Sequence, residues 1–265
     1  DGTVVIGEGE RDEAPMLFIG EEVGTGNGPK IDIALDPLEG TTITAKGLTN
    51  SLAVIAMAEH GGFLNSPDVY MDKLAIGPGY PPEIVHLDMS PTERVRALAK
   101  NKNCTVKDIA VCVLERPRHK ELIGELRQAG ARIRLITDGD VAGIIHCAET
   151  KLTGVDMLMG LGGAPEGVLA ASALKCLGGQ IQGRLIFRTN DEKKRAEKAG
   201  IKDLNQIYSL NDMVTQEVIF AASGVTNGSM LKGARVINNM LETETILMRS
   251  KTGSIRRLTY RQKII

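Results

Sequence analysis

The sequence predicts an α/β fold in two lobes, and three observations carry that prediction. Short apolar runs alternate with helix-like stretches along the whole chain. The span 108–163 reads strand, helix, strand, helix, strand, which is most simply a parallel, doubly wound layer. Ahead of residue 103 the strands follow one another with fewer helices between them, as in an α+β lobe. The expected division is an N-terminal α+β lobe over residues 1–103 and a C-terminal α/β lobe over 104–265.

In chain order, "TVVIG" at 3–7 opens the series as a strand of β-branched residues. "IDIALD" at 31–36 follows and is expected to stop at Pro37, which has no N–H for a ladder. "SLAVIAMA" at 51–58 is the next strand. A helical period runs over 91–102, then "DIAVCVLE" at 108–115, a second helical stretch at 119–129 and "ARIRLITD" at 131–138. "VDMLMGLG" at 155–162 leads into a third helix over 166–177. "GRLIFR", "EVIFAASGV" and "ETILMRS" complete the strands. No repeat or low-complexity tract interrupts them.

Bulk properties remove several function classes. A chain of 265 residues with net charge −1 and no block of Lys or Arg offers no nucleic-acid surface and no membrane surface. No apolar stretch approaches the roughly 18 residues of a membrane span, so a cytoplasmic, soluble chain is expected. Cys104, Cys112, Cys147 and Cys176 lack metal-site spacing and read as buried thiols. Aromatic residues are 3% and Trp is absent, too few for a stacking platform.

Two acidic segments follow strand-like runs. In "DPLEGTT" at 36–42, Asp36 stands at the carboxyl end of a strand, where α/β sheets place ligands, and Glu39 is close enough to face the same cation. Hard carboxylate oxygens suit Mg²⁺ or Mn²⁺. Gly40 and Thr41 offer backbone N–H groups to a phosphate at a helix start, and Thr41 adds a hydroxyl that can orient water. "GEGERDEAP" at 7–15 brings Glu8, Glu10, Asp12 and Glu13 together, with Glu8 following the strand most directly. The bland alternatives are a capped turn for the first segment and a solvated acidic loop for the second. Carboxylates beside a phosphate cradle are the equipment of phosphate-ester hydrolysis.

Six segments, "DGTVVIGEGERDEAPMLFIGEEVG", "DPLEGT", "PDVYMDK", "RPRH", "LITDGDVAG" and "GGAPEGV", occur in this order and resemble the class II fructose-1,6-bisphosphatases of bacteria. That family belongs to the lithium-sensitive, metal-dependent sugar phosphatase superfamily, and the resemblance spans essentially the whole chain. It implies the two-lobed layered sandwich of that superfamily and hydrolysis of the 1-phosphate of fructose 1,6-bisphosphate. It implies one Mn²⁺ or Mg²⁺ on Glu8 and another on Asp36, Glu39 and Glu166. Thr41 is implied as a catalytic residue, with Glu10 and Asp12 beside it holding water or a third, weaker cation. Glu39, Gly40, Thr41, Tyr70, Arg116, Pro117, Arg118, Asp138, Gly139, Asp140 and Gly163 are implied to surround a small sugar bisphosphate. The arginine forks suit the second phosphate, and the aspartates can accept hydrogen bonds from sugar hydroxyls. A homo-oligomer, dimer or tetramer, goes with the resemblance. So does a helical segment ahead of residue 1, which the sequence does not contain.

Each implied residue has a plainer reading. Tyr70 can be a core tyrosine, Arg116 and Arg118 surface ion-pair residues, and His119 a packing or capping residue rather than a base. "GLGGAPEG" does not match dinucleotide-loop spacing. The rival functions are a phosphatase for another sugar bisphosphate or inositol phosphate, and an inactive metabolite-binding relative on the same fold.

Overall fold

The apolar runs pair into two sheets in the computed structural model, which describes residues 1–8 and 15–264. The chain enters the first sheet with β1 (Gly2–Ile6), β2 (Glu22–Val23) and β3 (Ile31–Glu39), makes the short helix α1 (Thr41–Ala45), and returns in β4 (Leu52–Glu59). It crosses to the second sheet with β5 (Tyr70–Ile76), followed by α2 (Pro91–Asn101), β6 (Ala110–Leu114), α3 (Lys120–Ala129) and β7 (Arg132–Ile136). Next come α4 (Asp140–Ala148), α5 (Thr150–Thr153), β8 (Met157–Gly163), α6 (Ala164–Leu177) and β9 (Gln180–Ile186). The helix α7 (Asn190–Lys198), β10 (Ile207–Ser209) and α8 (Leu210–Met213) lead back to the first sheet, where β11 (Val218–Gly224), β12 (Arg235–Ile237), β13 (Met240–Arg249) and β14 (Ser254–Lys263) lie.

The first sheet runs β12-β13-β11-β4-β3-β1-β2, with β14 also paired to β13; the second runs β10-β9-β5-β8-β6-β7. In the unit 108–163, β6 pairs in parallel with both β7 and β8, as a doubly wound layer requires. The expected break at residue 103 does not separate the sheets. Strand β5, ahead of it, lies in the second sheet, and β11 to β14, long after it, complete the first.

Burial follows the pattern in the sequence. Strand β4 alternates buried and half-buried residues, while β6 is buried throughout. Helix α6 touches β4 and β11 of one sheet and β5 and β9 of the other, and it packs against α4. These two helices therefore form the layer between the sheets. Eight residues of α4 and ten of α6 are buried, because each helix is covered on both faces. Helices α2 and α3 close the outer face of the second sheet through a cluster of Leu74, Val95, Leu98, Val111, Val113 and Leu126.

Three local expectations are corrected. Strand β3 does not stop at Pro37 but continues to Glu39, with a register shift against β4 between Asp36 and Glu39 that spares the proline a ladder bond. Helix α3 begins at Lys120, since residues 117–119 form a separate 3-10 turn. Helix α6 begins at Ala164, which puts Glu166 in its first turn.

Candidate active site

The bulge in β3 sets the first two carboxylates. Leu38 N donates to Asp36 Oδ1 at 2.9 Å, holding that carboxyl at the strand end. Glu39 is 3% exposed; its Oε1 accepts from Val141 N at 3.1 Å, and its Oε2 is buried without a hydrogen-bond partner. Gly40 then takes φ 89°, the left-handed turn that swings the chain from β3 into α1. Ser51 Oγ donates to the Glu39 carbonyl at 2.9 Å and ties the turn to β4.

The second sheet contributes its strand ends to the same place. Asp138 follows β7, and its Oδ2 accepts from Thr42 N at 3.3 Å, so it caps α1 from across the cavity. Its Oδ1 stands 3.8 Å from Arg116 Nη2. Gly139 has φ 81°, and a Cβ there would meet Ile43 Cδ1 at 3.1 Å and Glu39 Oε2 at 3.4 Å. It is the close-approach point between α4 and the first sheet. Asp140 opens α4, is buried, and pairs with Lys73 of β5. Glu166, in the first turn of α6, keeps part of its surface open to the cavity.

Burial dominates the electrostatics of these acids. It pushes Asp36 up to about 6, with Glu8, Asp138 and Asp140 adding to the rise and the Leu38 N–H opposing it. Glu39 is held well above the usual carboxylate range by burial, then by Asp140. Glu166 is pushed up to about 7 by burial and Asp140, with Lys73 opposing. Each carboxylate is thus raised first by burial and then by its acidic neighbours, as expected of groups sharing one site.

Basic and aromatic groups line the same cavity. Arg118 Nε and Nη2 donate to Leu161 O at 3.2 and 2.8 Å, and its guanidinium lies 4.7 Å from the centroid of the Tyr70 ring. A second guanidinium, that of Arg188, lies 4.4 Å from the same centroid. Leu161 N donates to His119 Nε2 at 2.8 Å, and His119 Nδ1 is 2.7 Å from the Leu114 carbonyl. That pattern fixes a neutral ring protonated on Nδ1, and burial keeps it neutral by lowering its pKa. His119 therefore fastens the arginine turn to β8.

One cavity of about 710 Å³ gathers Glu8, Asp36, Glu39, Gly40, Thr41, Tyr70, Arg116, Arg118, Asp138, Asp140, Gly163 and Glu166. A second, of about 350 Å³, adjoins it and shares Glu8, Asp36, Tyr70, Gly163 and Glu166. Pro117 is exposed in the 3-10 turn and Gly139 faces a third cavity behind α1, so both shape the wall rather than form it. Glu10 and Asp12 lie outside the described residues. Two charged neighbours of the lining residues were not among the sequence expectations. Lys73 and Arg188 are single charges in strand and loop contexts, and only the break in apolar pattern at "MDK" signalled the first.

The donor set fits a hard divalent cation. Glu39 Oε2 is an orphaned buried oxygen, and a cation is the partner that would relieve carboxylates raised by one another. Among the described residues, no three His, Cys, Asp or Glu side chains already converge as a closed ligand set. The charge of the site, rather than preset ligand distances, carries the fit. Among the described residues no helix is long and apolar enough to cross a membrane.

Comparison with known proteins gives the family of the chain. Residues 1–262 match the family model described as bacterial fructose-1,6-bisphosphatase, glpX-encoded. A protein of Trichodesmium erythraeum (strain IMS101) named D-fructose 1,6-bisphosphatase class 2/sedoheptulose 1,7-bisphosphatase is 43% identical over 280 positions, covering 96% of this chain and 81% of that protein. A protein of the same name from Synechococcus sp. (strain JA-3-3Ab) is 41% identical, covering 96% of this chain and 80% of its own length. The family is one of metal-dependent phosphatases. With a match that runs through both sheets and every described wall of the acidic cavity, the chain belongs to the bacterial, glpX-encoded fructose-1,6-bisphosphatase family.

Proposed function

We propose that the chain hydrolyses the 1-phosphate of fructose 1,6-bisphosphate to fructose 6-phosphate and inorganic phosphate. The observation that carries this reading is one cavity lined both by buried carboxylates and by Arg116, Arg118 and Tyr70. An ester phosphate with a cation suits the carboxylates, and a second phosphate suits the arginines.

Asp36, Glu39 and Glu166, with Glu8 beside them, would hold Mn²⁺ or Mg²⁺. When bound, such a cation supplies Lewis-acid stabilisation of charge on the phosphate. Gly40 and Thr41 contact the phosphate that is cleaved, and the Thr41 hydroxyl orients the attacking water. Attack forms a P–O bond in line with the bond to the sugar, which breaks with its electron pair on the sugar oxygen; a proton from the water ends on that oxygen. Asp138 and Asp140 accept hydrogen bonds from sugar hydroxyls. Arg116 and Arg118 hold the phosphate that stays. A homo-oligomer, dimer or tetramer, belongs to the same proposal and is checked by sedimentation.

The relatives' names favour a second substrate, sedoheptulose 1,7-bisphosphate, whose reacting end is of the same kind. Phosphate release from both bisphosphates, with Mn²⁺, with Mg²⁺ and after chelation, tests the reading. Release that depends on added metal is expected. Undiminished release after chelation removes the metal from the mechanism, and release from neither bisphosphate overturns the assignment.

A further inference from the structure

Lys73 is a lysine with 0% exposure at the centre of β5, between β8 and β9. A buried ammonium is costly unless charge and hydrogen bonds compensate it. Here the Asp140 carboxylate pairs with Nζ, and Nζ donates to the Gly163 carbonyl at 2.8 Å. The sequence makes room for the reach. A Cβ at Gly162 would come within 2.7 Å of Nζ, and one at Gly167 within 3.4 Å of Lys73 Cδ.

The surroundings give this pair its meaning. Asp140 lies within electrostatic range of Asp36, Glu39 and Glu166, the acids that fit a cation, and lines the same cavity. A divalent ion entering the site would draw a fourth carboxylate as readily as the other three. Lys73 pairs with that fourth carboxylate and with the Gly163 carbonyl beside it. We infer that Lys73 is a positioning residue that partitions the acid cluster: its fixed charge reserves Asp140 for the sugar and keeps it out of the metal's ligand set. This rests on the metal-dependent phosphatase reading of the site.

The partition has a sign that a purely structural role lacks. Removing the lysine charge should tighten metal binding while loosening the sugar, because Asp140 is released towards the ion. Removing the Asp140 charge should leave Lys73 uncompensated and weaken the metal. Removing both should restore it.

Binding of Mn²⁺ alone, without substrate, is measured by calorimetry and by the electron paramagnetic resonance of free Mn²⁺. The proteins are wild type, Lys73→Met, Asp140→Asn and the double variant, with folding checked by circular dichroism. Relative to wild type, about tenfold tighter binding is expected for Lys73→Met, about tenfold weaker for Asp140→Asn, and recovery to within about threefold for the double variant. These are of the order one unit charge exerts over several ångströms at a high effective dielectric. The KM of Lys73→Met for the bisphosphate should rise. Should Lys73→Met not fold, Asp140→Asn and the double variant decide alone: a double variant as weak as Asp140→Asn makes Asp140 a metal ligand and overturns the inference. So does a folded Lys73→Met that binds Mn²⁺ no more tightly than wild type. A wild-type chain that binds no Mn²⁺ overturns the metallophosphatase reading and this inference with it.

Discussion

A hydroxyl that orients the attacking water and one that only holds the ground state predict different kinetics for Thr41→Ala. Thr41 is exposed to the cavity at the start of α1, where its loss leaves no buried hole. Turnover should fall by roughly a hundredfold or more with little change in KM, the pattern of an interaction made mainly in the transition state. A change confined to KM would reduce Thr41 to a binding group. Arg118 poses the same kind of choice. Its Nε and Nη2 are spent on Leu161 O, which leaves Nη1 for a phosphate. Arg118→Ala should weaken a sugar bisphosphate by roughly 1.5 to 3 kcal/mol, about ten- to more than hundredfold, and barely affect a small monophosphate ester. Steady-state kinetics on both substrates check it. Equal effects of under about 1 kcal/mol would make the arginine a surface ion-pair residue.

Elements were legible where local physics and tertiary context agree. The parallel trio β6, β7 and β8 was readable because its apolar runs are separated by helical periods, and a parallel connection requires such a crossover. Strand β5 was not readable, because Asp72 and Lys73 interrupt its apolar pattern. The pattern breaks there because Lys73 is buried through its pairing with Asp140 and the Gly163 carbonyl rather than through apolar packing. Strand β3 shows the converse. Pro37 signals a stop by its missing donor, yet the bulge removes the need for one, and the same bulge aims Asp36 and Glu39. The acids were therefore identifiable as a motif while their geometry was not. Asp138 was read as a sugar acceptor, but its bond to Thr42 N, a contact 96 residues away in sequence, gives it a second task of holding α1. Such a contact has no local signal. Arg188 was missed for the same reason, since Tyr70 and Arg188 meet only because β5 and β9 are neighbours.

At the scale of the molecule, the first sheet is closed by the last strands of the chain, so it joins two separate stretches of sequence, while the second sheet is the unbroken run from β5 to β10 set between them. The consequence is that the cavity draws on both: β3 and α1 from one side, and the starts of α4 and α6 with β5 and β8 from the other. Two buried helices begin at the cavity, and their N-terminal ends favour anionic ligands. The same enclosure makes the acid cluster a liability without a cation, and this fixes a pH dependence. Asp36 is raised to about 6, Glu166 to about 7 and Glu39 well above its ordinary value, so the folded chain holds protons that the unfolded chain releases. Stability from these groups is present below about pH 4 and is lost as pH rises through 7. For Glu166 alone the loss is on the order of 3 kcal/mol. Glu244 and Asp88, with lowered values, act only at lower pH, while His119 and His146, kept neutral by burial, oppose the trend as pH rises through about 6.5 and are outnumbered by the three raised carboxylates. The metal-free chain should therefore melt several degrees lower at pH 7.5 than at pH 5.5. Mn²⁺ should reverse that slope, because binding to the ionised cluster releases protons and gains strength as pH rises. Differential scanning calorimetry at the two pH values, with chelator and with Mn²⁺, gives the comparison. A metal-free melting temperature that is flat or rising over this range would mean that the carboxylates are already ionised and paired, and that the site has no unmet charge for a cation to neutralise.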